Sequence, residues 1–149
     1  ELLPLADVAT PNRFELAWLT GMPVADNAAI MKAAQKLGVE STLVTTAHGM
    51  MAGSIGNLLL TPKAAHLAEH RLVDGPSNGL GDLTSALFAA HLLLGTGDEK
   101  GLKATVASVF EVMARASKRG SDELMLAEDA NSLAHPMALV QMRRLMAPK

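Results

Sequence analysis

Apolar and polar positions in the first third of the chain predict two strands separated by two helices. Apolar residues from Leu5 to Thr10 predict a strand that ends before a proline, because a residue that precedes proline avoids the helical conformation. Phe14 to Leu19 predicts a short helix, and a second helix is predicted from the N-cap Asp26 to Gly38. Thr42 to Thr46 is β-branched and apolar, which is typical of a buried strand. This order predicts an α/β sheet with a right-handed parallel crossover.

Helical spacing dominates the rest of the chain. The pattern predicts a strand over Gly53 to Leu60 and a loop over Gly75 to Gly81, and it does not decide between helix and strand for Lys63 to Val73. Four helical segments follow: Asp82 to Gly95, about Glu99 to Arg119, a helix that begins at Ser121-Asp122, and a tail over Met137 to Met146. Propensity favours a helix for residues 63–73 because they include several alanines and Glu69.

Composition narrows the classes of protein to consider. A chain of 149 residues supports one domain, and 49% hydrophobic against 19% charged residues excludes a disordered chain. A net charge of −2 gives no electrostatic case for a nucleic-acid partner. The absence of cysteine excludes disulfides and thiolate catalysis, and it fits a reducing cytoplasm. No segment has the length and apolarity of a membrane span, and the first residues lack a signal-peptide pattern. Because the first residue is not methionine, truncation has to be considered.

The glycine-rich segment Asn78-Gly79-Leu80-Gly81-Asp82 leads directly into an apolar helix. The first amides of a helix lack partners within the helix and carry the positive end of its dipole, and glycines let a ligand approach the backbone closely. This segment is therefore a candidate phosphate site. Asp82 would lie beside the bound anion, where a carboxylate can orient or deprotonate an attacking hydroxyl. The plainer interpretation is a turn with an acidic residue in the first helical turn.

Two further candidates follow predicted strands. Ligands of open parallel sheets gather at the carboxyl ends of the strands, where Asn12 and Glu15 could hold hydrated Mg²⁺ and a phosphate oxygen. Their spacing alone favours a capping box, with Asn12 as the N-cap and Glu15 three residues later. Thr45 and Thr46 end the next strand, and their hydroxyls could contact phosphates, although β-branched residues also simply end strands.

A pair of histidines, His66 and His70, could share a metal ion only on a helix. On a strand the two residues would lie about 13 Å apart. A metal site here is not favoured.

The order of these segments resembles the C-terminal half of the pyridoxal kinases, which belong to the ribokinase-like superfamily. The resemblance is carried by Thr10 to Leu16 with Leu19-Thr20-Gly21 behind it, by Leu43 to Thr46, by Gly79 to Leu87, and by the tail Asp122 to Pro136. The Gly-X-Gly-Asp element is shared across the superfamily. Its combination with Thr-Pro-Asn-X-Phe-Glu and this tail is more specific, and together they cover nearly the whole chain.

The resemblance implies a three-layer α/β sandwich whose mostly parallel sheet is flanked by helices. Residues 1–149 would form its C-terminal, nucleotide-binding portion. It also implies phosphorylation of the 5′-hydroxyl of pyridoxal by ATP and Mg²⁺, giving pyridoxal 5′-phosphate, in a cytoplasmic homodimer. It leaves open whether a monovalent cation is needed. The implied roles are catalytic base for Asp82; anion hole for the amides of Gly79, Leu80 and Gly81; ATP contacts for Asn12, Thr45, Thr46, Val73 and Asp74; and a Mg²⁺ contact through water for Glu15.

Two departures from the family pattern affect this interpretation. Members of the family are nearly twice as long, and their N-terminal half carries most of the vitamin pocket, so we expect this chain alone to be inactive. Leu80 stands where relatives often have Thr, Val or Ala, which matters little if the backbone amide does the binding. The resemblance also favours a strand over residues 63–73.

Two alternative functions stay open. A hydroxymethylpyrimidine kinase has a similar fold, but that family tends to carry cysteine where Asp82 stands. The other alternative is a nucleotide-binding module without catalysis.

Overall fold

Ten regular elements follow a short 3-10 turn over Leu3–Leu5 in the computed structural model, which describes residues 2–76 and 78–146. They are β1 (Val8–Ala9), α1 (Arg13–Thr20), α2 (Asn27–Leu37), β2 (Ser41–His48), β3 (Ser54–Leu60), β4 (Ala65–Arg71), α3 (Leu80–Leu93), α4 (Asp98–Arg119), α5 (Ala130–Ala134) and β5 (Gln141–Leu145). Ser77, in the predicted loop before α3, lies outside the described residues. The chain divides into two units, residues 1–69 with 141–149, and residues 70–140.

The sheet has five strands in the order β1-β2-β3-β4-β5. β1 pairs with β2 in parallel, whereas β2 pairs with β3, and β4 with β5, in antiparallel orientation. The α/β class is confirmed, but the sheet is mixed rather than mostly parallel. The reason is the short connection of residues 49–53 between β2 and β3, because a parallel pair needs a crossover of about a dozen residues or more.

Helices α1 and α2 form where their caps were predicted. The Asn12 side chain accepts hydrogen bonds from the amides of Phe14 and Glu15, and the Asp26 side chain accepts one from the amide of Ala29. Each helix ends at a glycine with positive φ, at 66° and 75°, which an L side chain rarely adopts. Both helices pack against β2 through a buried apolar core. That core includes Leu16, Ile30, Met31, Ala33, Ala34, Val44, Ala47, Leu58, Leu60, Ala65 and Leu67.

In the second unit, α3 packs on α4, and α4 packs on α5. Ion pairs and hydrogen bonds hold the segment after α4, which has little regular structure. Arg119 donates two hydrogen bonds of 2.7 Å to the buried carboxylate of Asp129, and they lower the pKa of Asp129 against the effect of burial. Glu111 accepts hydrogen bonds from the amides of Met137 and Ala138, at 2.6 and 3.1 Å. The segment is therefore fixed by side chains of α4.

The structure decides the secondary structure of three segments: residues 63–73, the segment from Ser121, and the tail from Met137. Residues 63–73 contain strand β4, as the family resemblance favours and helix propensity does not. The predicted helical tail is wrong, because Gln141–Leu145 is a strand that pairs with β4. The helix predicted to begin at Ser121-Asp122 is reduced to α5, because the Ser121 hydroxyl donates to the carbonyl of Glu123 and forms a local turn instead. Across the part that the structure describes, no helix is long and apolar enough to cross a membrane.

Candidate active site

Asn12 and Glu15 lie at the start of α1, where the chain leaves β1. They form a capping box: the Asn12 side chain accepts two backbone hydrogen bonds of 2.9 Å, and Glu15 Oε2 accepts one of 2.8 Å from the Asn12 amide. The capping interpretation is therefore confirmed. One functional atom of each side chain is still available, because Asn12 Nδ2 and Glu15 Oε1 have no partner among residues 2–76 and 78–146. Capping and ligand binding are thus compatible.

Thr45 and Thr46 lie near the end of β2, beside Asn12. Asn12 and Thr45 form a parallel bridge, and the Thr45 amide donates a 3.0 Å hydrogen bond to the carbonyl of Pro11. The structure therefore brings together Asn12 and Thr45, which the sequence proposed separately. Glu15 belongs to the same group through its hydrogen bond with Asn12.

Thr46 has an unusual backbone. Its φ is 56°, and it is the only non-glycine residue with positive φ in the described part of the chain. A β-branched residue rarely adopts this conformation, which costs about 1–3 kcal/mol. The pairing of β2 with β3 is irregular between Val44 and Ala47, and the Thr46 hydroxyl is buried with no hydrogen-bond partner among the described residues. Nothing in the sequence signals this strain.

In the second unit, α3 begins at Leu80, two residues before the predicted start. Gly79 is its N-cap with a φ of 79°, and no side chain of the described residues caps the helix. The Leu83 amide donates a 2.9 Å hydrogen bond to the Gly79 carbonyl. The amides of Leu80, Gly81 and Asp82 therefore lie in the first turn, where the helix itself offers them no acceptor. A Cβ placed on Gly81 would meet no atom within 4 Å, so the space beside this backbone is open.

Asp82 is exposed in the first turn of α3. Its carboxylate makes no hydrogen bond or ion pair with any residue that the structure describes. The described residues therefore leave both carboxylate oxygens available to accept a proton.

Val73 and Asp74 precede the same loop. The carbonyl of Asp74 accepts a hydrogen bond from the Ser117 hydroxyl, and a Cβ on Gly75 would lie 3.3 Å from Cβ of Ser117. These contacts hold the loop against α4, while the Asp74 side chain stays exposed.

Arg13 lies within the Thr-Pro-Asn-Arg-Phe-Glu segment, and residue spacing indicates no role for it. Its Nη1 lies 3.2 Å from both ring nitrogens of His48, and its Cζ lies 4.9 Å from the centre of the Phe14 ring. The backbone of His48 is held in turn by two hydrogen bonds with the Asn27 side chain, at 2.8 and 3.1 Å. Side-chain packing of this kind leaves no signal in residue spacing.

The two histidines of β4 have surroundings that the sequence did not indicate. His66 and His70 lie on a strand, and within the described residues no group of three or more His, Asp or Glu side chains could hold a metal ion. His70 instead packs on Phe110, with ring centres 4.5 Å apart. Burial lowers the pKa of His70, although its contact with the carbonyl of Arg71 opposes this effect.

Comparisons with known proteins all match this chain to kinases. A family model described as phosphomethylpyrimidine kinase matches residues 1–127. The pyridoxal kinase PdxY of Rubrobacter xylanophilus is 39% identical over 149 aligned residues, covering 96% of this chain and 51% of the relative. The crystal structure of pyridoxal kinase from Entamoeba histolytica superimposes with a TM-score of 0.84 at 19% identity, covering 97% of this chain and 53% of that one. Pyridoxal kinase from Leishmania donovani in complex with ADP and ginkgotoxin gives 0.84 at 22%, with the same coverage of 97% and 53%.

The fold is thus the α/β fold found in pyridoxal kinase structures, which confirms the resemblance inferred from the motifs. With most of its length matched by the family model, the chain belongs to the phosphomethylpyrimidine kinase family. It spans about half the length of the curated relatives that it matches.

Proposed function

We propose that this chain is the C-terminal, nucleotide-binding portion of an enzyme that transfers the γ-phosphoryl group of ATP to the 5′-hydroxyl of pyridoxal. The observation that carries the proposal is the exposed carboxylate of Asp82, which has no partner among the described residues and lies beside the open first turn of α3. The curated relatives named pyridoxal kinase support the choice of substrate, at 39% and 33% identity.

Asp82 is the proposed general base. As the 5′-oxygen forms its bond to the γ-phosphorus, the bond from that phosphorus to the β-phosphate oxygen breaks, and the hydroxyl proton passes to Asp82. A positioned carboxylate of this kind contributes about 10²- to 10⁴-fold to the rate. The amides of Gly79, Leu80 and Gly81 bind the phosphate oxygens on which negative charge develops.

Asn12 and Glu15 supply the proposed polar contacts of the first unit. The free Glu15 Oε1 would hold Mg²⁺ through water, and the free Asn12 Nδ2 would donate to a phosphate oxygen. Bound Mg²⁺ neutralises charge on the phosphates. Two neighbouring structures are pyridoxal kinases in complex with AMP-PNP and with ADP, which supports ATP as the phosphoryl donor.

Thr45 and Thr46 complete the proposed phosphate contacts, with Val73 and Asp74 bordering the nucleotide. The bridge between Thr45 and Asn12 supports this assignment for Thr45. A need for a monovalent cation is tested by adding potassium or sodium to the activity assay.

The rest of the enzyme is proposed to be an N-terminal half that supplies most of the vitamin pocket. The coverage of about half of each relative supports this proposal, as does the exposed apolar surface of the first unit. Trp18 is 83% exposed there and lines an apolar groove of about 280 Å³ together with Leu3, Ala9 and Pro11. We further propose a homodimer in the cytoplasm, where ATP is available, with no nucleic-acid partner at a net charge of −2.

The test is pyridoxal 5′-phosphate formation from pyridoxal and MgATP, by a protein of family length that contains these residues and whose intact mass is known. We expect Asp82→Asn to lower kcat by at least about 100-fold. Asp122→Asn is the matched control, because Asp122 is also exposed and has no partner among the described residues. Wild-type turnover by the Asp82→Asn variant would refute the proposed base. The chain of 149 residues alone should give no product.

A hydroxymethylpyrimidine kinase is the second candidate, because the matching family model carries the description phosphomethylpyrimidine kinase. The same assay with hydroxymethylpyrimidine in place of pyridoxal separates the two enzymes by their kcat/KM. Nucleotide binding without turnover of either substrate would instead indicate a non-catalytic module.

A further inference from the structure

The guanidinium of Arg13 contacts two rings at the start of α1. Its Cζ lies 4.9 Å from the centre of the Phe14 ring. Its Nη1 is 3.2 Å from both ring nitrogens of His48. Two such contacts restrict the orientation of the guanidinium, so less side-chain entropy remains to be lost when its edge binds a ligand.

The ring of His48 is itself fixed. Its Nε2 lies 3.0 Å from the carbonyl of Val24, and a carbonyl only accepts, so Nε2 carries the proton. Its Nδ1 is then the acceptor that faces Nη1 of Arg13. Because Asn27 also holds the His48 backbone on both sides, the imidazole is a rigid support for the guanidinium.

No carboxylate among the described residues balances the charge of Arg13. Arg115, Arg119 and Arg143 all form ion pairs, but within residues 2–76 and 78–146 no carboxylate lies at ion-pair distance from Arg13. Arg13 is half-buried, unlike the exposed Arg71 and Arg144. Its Nε and Nη2 have no acceptor among the described residues. A partly desolvated cation without a partner is unfavourable, and a bound anion would remove that cost.

The position of Arg13 indicates which anion it serves. Arg13 follows Asn12, which bridges Thr45 of β2, and His48 is the last residue of β2. The guanidinium therefore lies at the edge of the first unit that carries the proposed phosphate contacts. Arginine binds phosphate through two parallel N–H···O hydrogen bonds, which the fixed planar group can offer along its free edge.

We propose that Arg13, supported by the rings of His48 and Phe14, binds the polyphosphate chain of the nucleotide. This inference rests on the proposed function, and it adds a phosphate ligand to the contacts that the family resemblance implies. Arg13 is then a residue for affinity and phosphate orientation, whereas proton transfer stays with Asp82.

The experiment titrates the protein with sodium tripolyphosphate, then with MgATP and with adenosine, in a calorimeter. We expect Arg13→Gln to weaken tripolyphosphate and MgATP binding by about 10- to 100-fold and to leave adenosine binding unchanged. Arg13→Lys keeps the charge but loses the planar fork, so an intermediate loss is expected. Arg144→Gln is the control, because Arg144 is exposed on β5 and forms no ion pair with the described residues.

Each outcome decides the proposal. Equal tripolyphosphate affinity of wild type and Arg13→Gln overturns it, and so does the absence of tripolyphosphate binding to the wild type. If Arg13→Gln does not fold, Arg13→Lys decides, and unchanged affinity of that variant counts against the planar-fork contact. Arg13-dependent binding in a protein that phosphorylates neither pyridoxal nor hydroxymethylpyrimidine supports the phosphate site and refutes the proposed enzyme.

Discussion

Replacing Glu69 with glutamine should destabilise the first unit by about 2–3 kcal/mol. The Glu69 side chain is fully buried, and its two oxygens have different partners. Oε2 accepts from the amides of Met50 and Met51 and from the hydroxyl of Ser54, at 2.7, 3.2 and 3.0 Å. Oε1 accepts from Nε of Arg143 at 2.5 Å. One carboxylate therefore joins the β2–β3 turn to β4 and β5.

The expected loss of stability follows from which hydrogen bonds of Glu69 a glutamine can retain. Its carbonyl oxygen can occupy the place of Oε2 and retain three donors, but its NH₂ group then faces the donating Nε of Arg143. The charge-assisted hydrogen bond, about 1.5–3 kcal/mol, is lost. Breaking a buried pair costs about 3–5 kcal/mol when the remaining charge stays buried. Arg143 is 41% exposed and can turn toward water, so the expected loss lies at or below the lower end of that range, at about 2–3 kcal/mol.

The pH dependence of stability gives a second signature of the same carboxylate. Burial alone would raise the pKa of Glu69, but the hydrogen bonds from Arg143, Met50, Ser54 and Met51 outweigh burial and lower it. The folded protein thus binds this proton less readily than the unfolded chain. The stabilisation is present above the unfolded pKa of about 4.5 and is lost as the pH falls below it, through the lower folded pKa. Glu69→Gln should remove this component of the acid sensitivity.

Urea unfolding at pH 7, followed by circular dichroism, measures the change. The control is Glu40→Gln, since Glu40 is exposed and has no partner among the described residues. Arg143→Met should cost a similar amount, and the double variant should cost little more than either single one, giving a coupling of about 2 kcal/mol. A loss below about 0.5 kcal/mol for Glu69→Gln, or additive losses in the cycle, would refute the reasoning.

Two further predictions concern His70 and Thr46. Because burial lowers the pKa of His70, the unfolded state takes up a proton more readily than the folded state, so the free energy of unfolding should fall as the pH drops below about 6.5. His70→Phe keeps a ring against Phe110 and should make the free energy of unfolding depend less on pH between about pH 5 and 7. An unchanged pH dependence in this variant would contradict the assignment. Thr46→Gly should raise the free energy of unfolding by up to about 1 kcal/mol by relieving a positive φ, whereas a lower thermal midpoint than wild type would show that the backbone is not strained.

The boundaries of α1 and α2 were predictable because their signals are local. Asn12, Asp26 and Gly38 act within one helical turn of their own positions, and each does what its residue type predicts. The second half of β4 and all of β5 have no such signal. Residues 141–145 read as helix by propensity, but they pair with a buried strand more than seventy positions earlier in sequence, such as Leu145 with Ala65. Long-range pairing overrides weak local preference.

In the candidate site, too, features with local signals could be predicted, and features that depend on contacts between elements could not. The glycine loop, Asp82 and the Asn12–Glu15 pair could be found from spacing, because helix N-termini have sequence signatures. The strained backbone of Thr46 and the ring-supported Arg13 could not, since each depends on contacts between separate elements. Choosing between cap and ligand for Asn12 was also beyond the sequence, because the two roles use different atoms of one side chain.

The capping box at α1 has a consequence for interpreting natural variation. Asn12 and Glu15 are needed to start the helix whether or not a nucleotide ever binds, because their hydrogen bonds are made within the folded chain itself. Purifying selection for folding would therefore preserve them in a homologue that has lost catalysis. Asp82, which supports no other described residue, has no such protection. In a survey of homologues, the identity at the position of Asp82 should separate active enzymes from degenerate paralogues, whereas Thr-Pro-Asn-X-Phe-Glu should persist in both.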